Sequence, residues 1–303
     1  ALRTIQGTDE VDFRRASRPF GNNCGFSLAE SAQYVVLMDD ELALQLGADI
    51  HGSVPDVFIN ADGFKKSISA PGPGNYLTMA KAVAAATQIV GIDGVRNRSF
   101  VHAHGASTPA NRVTESEILD RVAEAFGISE WPVAAVKAFV GHSLATASAD
   151  QMMSALGTFH YGIVPGIKTV DTFADDVKKD RLALSTTDVR RDDLDVCFIN
   201  SKGFGGNNAT GVVLSPAITE KMLRKRHGDA AFDAYVARRE ATREAARQYD
   251  QAVREGDFAI IYNFGNDMID ESAIAISEDG IQIPGFAQGI SYKKDERFSD
   301  MLD

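Results

Sequence analysis

The chain has 303 residues, 44% of them hydrophobic, with 31 Lys and Arg against 42 Asp and Glu and a formal net charge of -11. That supports one or two domains with a sizeable core, while the acidic balance argues against a nucleic-acid partner. No apolar run reaches the roughly 18 to 20 residues of a membrane-spanning helix. The opening stretch ALRTIQGTDEVDFRR lacks a signal-peptide pattern, and Cys24 and Cys197 form neither a disulfide framework nor a zinc pair, so a reducing, cytoplasmic location is expected.

In chain order, FSLAESAQYVVLM (26–38) reads as a strand, DDELALQLG as a short helix and VPDVFINA as a second strand. After SAPGPG, the run NYLTMAKAVAAATQIVG predicts a long helix closed by Gly91. SFVHAH predicts a strand, TPANRVTESEILDRVAEAFG a helix that starts at a Pro and ends at Gly127, and PVAAVKAFVG another strand. ATASADQMMSALGTFHYG is helical, and VCFINS and ATGVVLS are β runs flanking a Gly-rich loop. Strands alternating with helices imply βαβ units and a largely parallel sheet, with function in the loops at the strands' carboxyl ends. HAHG, VGHS and NSKGFGGNN all fall there.

Beyond Pro216 the texture changes. Ala237, Ala241, Ala245, Tyr249 and Val253 recur every fourth residue, which predicts a surface helix with one narrow packing stripe. FAIIYNFG then reads as a strand and AIAISEDGIQIPG as a hairpin.

Singly, the chemical signals are modest: a histidine at a strand end is most often structural, and FGGNN alone indicates only close backbone approach. Their order is more specific. SRPF (17–20) with GF (25–26), HGASTPANRVTE (104–115), KAFVGHSLATASA (137–149) and NSKGFGGNNA (200–209) together resemble the β-ketoacyl-acyl carrier protein synthases, the elongating condensing enzymes of the thiolase superfamily. The resemblance runs over residues 17 to 214. It implies an α/β fold of the thiolase type, a layered αβαβα core built from two similar halves, of which this chain resembles the second. Residues 1–24 then connect to a first half lying outside the chain, 25–216 form the C-terminal half, and 217–303 are an appended α+β extension.

The resemblance also implies the site. His104 and His142 act on the carbonyl of a malonyl thioester, Lys137 fixes the protonation and orientation of His142, and Glu115 supports the pair from behind. Phe204 with Gly203, Gly205 and Gly206 forms the oxyanion and gating loop, and Thr108, Ser107 and Asn208 contact the pantetheine-borne substrate. His102 is structural. Neither Cys24 nor Cys197 has the family's nucleophile context, so the nucleophilic cysteine is expected on the other half.

The implied reaction is decarboxylative condensation of an acyl thioester with malonyl-acyl carrier protein, with no metal and no cofactor. The implied partners are acyl carrier protein or acyl-CoA, the other half, and a second copy in a homodimer. Half of a two-half sandwich would expose apolar surface meant for burial. Arg14, Arg15 and Arg18, or Lys65 and Lys66, are candidate contacts for the acidic carrier.

Several positions depart from the family pattern. Ala106 replaces a pantetheine-binding threonine, Lys202 replaces an aromatic before GFGG, Ala29, Ser31 and Gln33 replace small residues after GF, and Ala145 and Ser148 alter the run after GH. Two other readings remain open: a non-catalytic pseudo-synthase that shapes a product cavity, and a thiolase, which generally uses a late CxG cysteine that this sequence lacks. Retention of both histidines and Lys137 favours the condensing enzyme.

Overall fold

The computed structural model describes residues 1–65, 71–257, 264–266, 268–292 and 301. The chain opens with a short helix α1 (Leu2–Gln6), followed after an irregular stretch by α2 (Asp40–Leu46), β1 (Ser53–Ala61), α3 (Gly74–Arg98), β2 (Ser99–His102), α4 (Pro109–Phe126) and β3 (Trp131–Ala134). A single turn α5 (Lys137–Val140) precedes α6 (Ala147–Tyr161), β4 (Ile163–Val164), β5 (Leu182–Leu184) and β6 (Val189–Arg190). The strands β7 (Val196–Gly203) and β8 (Asn207–Leu214) then lead into α7 (Pro216–His227) and α8 (Asp229–Glu255).

Local chemistry sets the boundaries. The Thr108 side chain caps α4 by accepting from the Asn111 N–H, Pro109 opens it and Gly127 closes it in the left-handed conformation. Gly91 does not end α3 as the sequence suggested. At φ 74° and ψ 164° it breaks the helix locally, and helical residues resume as far as Arg98.

Two strand expectations are corrected. In PVAAVKAFVG pairing stops at Ala134, where β3 loses its ladder with β2, and Lys137–Val140 wind into a helical turn; a short apolar run is compatible with either state. In FSLAESAQYVVLM only Leu28 pairs, in one parallel bridge with His142, and no strand forms. β-propensity expresses fit to a pleated surface, and residues 30–39 have no neighbouring strand to supply one. Tyr34 and Val36 are left 94% and 82% exposed.

Six strands form one mixed sheet in the order β1-β8-β7-β2-β3-β5. The pairings β7–β2, β2–β3 and β3–β5 are parallel, whereas β1–β8 and β8–β7 are antiparallel. Period-two alternation divides the core. Val101, Val133, Val196, Phe198, Val212 and Leu214 pack with Met79, Ala82 and Val83 of α3 and Leu119 and Val122 of α4. Phe100, Ala134, Cys197, Ile199 and Val213 point the other way, toward Ala155 of α6. The carboxyl ends of the parallel strands β2, β3 and β7 therefore lie at one edge of the sheet.

The chain divides into two compact units between Glu244 and Ala245. In the first, Phe232 and Tyr235 of α8 and Leu223 of α7 cluster with Leu44 of α2, and the Tyr235 hydroxyl donates to the Ala48 carbonyl at 3.0 Å. In the second, Ala275–Ile276 (β9), Gly280–Gln282 (β10) and Ile290–Ser291 (β11) form a small antiparallel sheet, with β9 and β10 making the expected hairpin. Of FAIIYNFG, residues 258–263 lie outside the described residues, and Phe264 and Gly265 are in a turn.

The single tryptophan, Trp131, is buried against Phe198, with ring centroids 5.6 Å apart, and its indole N–H donates to Ser99 Oγ. Phe198→Ala is expected to cost about 3–5 kcal/mol of stability, read as a lowered urea midpoint by Trp131 fluorescence. An unchanged midpoint would show that this cluster is not the core of the sheet.

Candidate active site

His104 lies two residues beyond β2, in a turn held by one carboxylate. Glu115, buried on α4, accepts the His104 N–H at Oε1 (2.7 Å) and the Gly105 N–H at Oε2 (2.9 Å). Its two oxygens also accept from the Asn200 side chain of β7 (2.6 Å) and from Asn111 of α4 (2.9 Å). Asn200 in turn accepts from Asn75 at 2.6 Å, and Asn75 sits one turn from Thr78, whose hydroxyl accepts from Thr210. Gly105 is at φ 56°, and a Cβ there would stand 2.9 Å from that of Ala135, so only glycine makes this turn.

His142 is placed by a different strap. Its N–H donates to the Ser27 carbonyl (2.8 Å), its carbonyl accepts from Ala29 (3.1 Å), and its ring meets Phe26 edge-on at 5.1 Å. Asp150, in the first turn of α6, accepts from Ser143, Ser31 and Gln33 and so ties this strap to the His142 loop. Ser31 and Gln33, departures from the family pattern, therefore have a partner in Asp150.

Each imidazole accepts a backbone N–H at Nδ1: His104 from Lys202 (3.3 Å), His142 from Leu144 (3.2 Å). Leu144 has φ 59°, a left-handed conformation costing a non-glycine residue on the order of 1–3 kcal/mol, and that strain aims its N–H at the ring. An accepting Nδ1 puts the proton of a neutral imidazole on Nε2. Burial first, and then the Lys137 ammonium, lower the pKa of both rings, His104 well below 6.5 and His142 to about 4. Two neutral Nε2–H donors result, with ring centroids 5.3 Å apart.

Lys137 is buried, and its ammonium has no hydrogen-bond partner among the described residues. Burial pulls its pKa down to about 8, with the Glu115 and Asp150 charges opposing the shift. It remains mostly cationic at neutral pH. His102 is fully buried against Phe100, and its pKa falls to about 3, by burial first and then by Lys137.

A cavity of about 310 Å³ brings together His104, His142, Thr108, Gly203, Phe204, Gly206 and Asn208. Glu115, Lys137, Ser107 and Gly205 are not on its wall. The Ser107 hydroxyl is buried and accepts the Arg18 N–H at 2.7 Å, which gives it a bracing position. Thr108 both lines the cavity and caps α4, and the Phe204 ring is 82% exposed.

Asp62 was not singled out in the sequence. It accepts from Gly74, Asn208 and Lys65, and its N–H donates to the Gly206 carbonyl, fixing the glycine loop. Gln151 was also missed; its side-chain amide donates to the carbonyls of His102, Ala103 and Asn200. Neither residue has a sequence signal beyond proximity to a motif.

Of the basic residues proposed to meet a carrier, Arg14 pairs with Asp12 and Arg15 with Asp171. Arg18 is buried and donates to the Thr169 and Asn22 carbonyls, so it cannot dock a partner. Lys65 is bonded to Asp62, and Lys66 lies outside the described residues.

Residues 51–171, which include both histidines, match the family described as "Beta-ketoacyl synthase, C-terminal domain". The chain belongs to the β-ketoacyl synthases. It is 76% identical over all 303 residues to the β-ketoacyl-[acyl-carrier-protein] synthase FabY of Pseudomonas aeruginosa, covering 48% of that protein. The crystal structure of FabY from P. aeruginosa superposes with a TM-score of 0.92, covering 100% of this chain and 47% of that one. The 3-oxoacyl-[acyl-carrier-protein] synthase 1 of Escherichia coli K12 is 28% identical over 200 residues, 66% of this chain and 46% of that protein. The chain thus spans about half the length of the curated relatives it matches, as a C-terminal ketosynthase half with the thiolase-like fold. The similarity to FabY takes in residues 217–303 as well.

Two outcomes follow for the ketosynthase half. Glu115→Ala leaves three buried N–H donors and the half-buried Asn111 amide without this acceptor, each buried one costing about 1–3 kcal/mol. The full-length protein should therefore be strongly destabilised in urea, and a loss of unfolding free energy below about 1 kcal/mol contradicts this role for Glu115. The second concerns pH. The unfolded chain protonates its histidines near 6.5, whereas folded His102 and His104 stay neutral far lower, so stability is complete above 6.5 and falls as pH drops below it. Each of these two contributes a slope of up to about 1.4 kcal/mol per pH unit. Urea midpoints from pH 7 to 5 should fall, and less steeply in His102→Leu; equal slopes would show that His102 does not titrate in this way.

Proposed function

We propose that this chain is the histidine-bearing half of an acyl-carrier-protein-dependent ketosynthase that makes a 3-oxoacyl thioester with loss of CO2. The observation that carries the reading is the pair of neutral imidazoles, each with Nδ1 occupied by a backbone N–H, on the wall of one cavity. A malonyl thioester placed there presents its carbonyl oxygen to both Nε2–H donors. The bond between the methylene and the carboxylate then breaks, its electron pair moves into the enolate, and CO2 leaves neutral.

The enolate attacks the carbonyl carbon of an acyl group held as a cysteine thioester. A carbon–carbon bond forms, the carbon–sulfur bond breaks, and the departing thiolate takes a proton from solvent. The cysteine belongs to a segment outside this chain: Cys197 is buried in the sheet, where burial drives its thiol pKa upward, and neither Cys197 nor Cys24 lines the cavity.

Charge develops on the enolate oxygen, and fixed donors aimed at it need no reorganisation, so each contributes about 10²–10³ in rate. Lys137 acts indirectly: its ammonium adds to the larger effect of burial in keeping both imidazoles in the donating, neutral form. The glycine loop at 203–206 offers backbone N–H groups to the acyl carbonyl, and Thr108 contacts the pantetheine arm, with acyl carrier protein as the partner that brings it.

The test is steady-state condensation by the full-length protein with malonyl-acyl carrier protein and an acyl donor. His104→Ala and His142→Ala are each expected to lower kcat by at least about a hundredfold. Retention of full activity by the double variant would remove the assignment. With His142 neutral down to a pKa of about 4, kcat should not decline from histidine protonation between pH 7 and 5.5.

A further inference from the structure

Lys202 is the cation that the chemistry above leaves without a task. It lies at the carboxyl end of β7 opposite Asn208 of β8, and its backbone N–H is the group that holds His104 Nδ1. The residue is partly buried and is among those lining both the 310 Å³ cavity and an adjoining one of about 240 Å³. Both cavities share His104, His142, Leu144, Gly203 and Asn208. Among the described residues the Lys202 ammonium makes no hydrogen bond and no ion pair. The neighbouring Lys65, by contrast, is held by Asp62.

A half-desolvated ammonium without a counter-ion is costly, and the cost is relieved when a ligand supplies an anion. Burial lowers the pKa of Lys202, with the Glu115 and Asp62 charges opposing the shift. The occupant implied by the condensation reading carries a suitable anion. The malonyl carboxylate is one methylene away from the carbonyl that the histidines receive, and Lys202 is in contact with His104 through its own backbone. A neutral acyl group or a growing alkyl chain has nothing to offer an ammonium there.

Resting on the ketosynthase reading, we propose that Lys202 determines extender specificity by receiving the malonyl carboxylate beside the two histidines. The carboxylate is held until the carbon–carbon bond breaks; the neutral CO2 then has no charge for the ammonium to retain. Lys202 thus sorts an anionic extender from neutral thioesters of similar size, and its main effect falls on binding.

The experiment uses the full-length protein with malonyl-acyl carrier protein as the varied substrate at saturating acyl donor, comparing wild type, Lys202→Met and Lys202→Arg, each checked for an unchanged Tm. In Lys202→Met the KM for malonyl-carrier should rise about ten- to a hundredfold, with a smaller change in kcat and an unchanged KM for the donor. Lys202→Arg should restore a substantial part of the loss, which a merely space-filling role does not predict. A wild type that turns over while Lys202→Met keeps its malonyl KM overturns this inference alone, as does a variant whose only change is acceptance of longer donors. A wild type that does not condense malonyl-carrier removes the ketosynthase reading and this inference with it.

Discussion

The site depends on the buried carboxylate of Glu115. It sits on α4, yet accepts from the backbone that turns out of β2 and from a side chain of β7, so three elements converge on two oxygen atoms. A buried carboxylate is tolerable only when such donors satisfy it, and the chain supplies four. His104 is consequently positioned through its own peptide N–H, which leaves its ring free to face the cavity. The chain of Asn200, Asn75, Thr78 and Thr210 extends this bonding under the sheet edge. Such a network rigidifies the region because loss of any member leaves others unpaired.

Around this anchor the local electrostatics oppose the total. A protein of net charge -11 surrounds its histidines with the ammonium groups of Lys137 and Lys202. Total charge governs encounters at long range. Within a partly desolvated cavity, the nearest charges decide protonation. Burial first, and the positive local field after it, hold the imidazoles neutral, so that they can donate hydrogen bonds without carrying charge. Global composition could not have revealed this.

What the sequence made legible was local. The motif around His104, the Lys137 to His142 spacing and the glycine loop each lie within a dozen residues, and βαβ alternation carried them to one sheet edge. The supports were hidden because their partners are distant: Asn75 and Asn200 are 125 residues apart, and Ser31 meets Asp150 across 119. Hydroxyl and amide residues of this kind are common in turns and at helix ends, so nothing marks them until the fold joins them. Ser107 reads as a substrate contact in sequence, whereas its hydroxyl is turned toward Arg18. The errors at 26–38 and 137–140 share a cause: pattern reports what a segment could pair with, while pairing requires a neighbour in the right place.

The stretch from Gln33 to Met38 has a consequence unrelated to catalysis. Six successive residues, QYVVLM, combine strong β-propensity with no charge, no proline and no glycine, and most of their side chains face solvent. Those are the attributes of segments that stack in register into cross-β assemblies. Folding of this chain leaves the stretch at the surface, so its tendency to self-associate persists in the folded state and grows with concentration. The yield of native protein then depends on concentration through QYVVLM, as well as on how stable the folded sheet is.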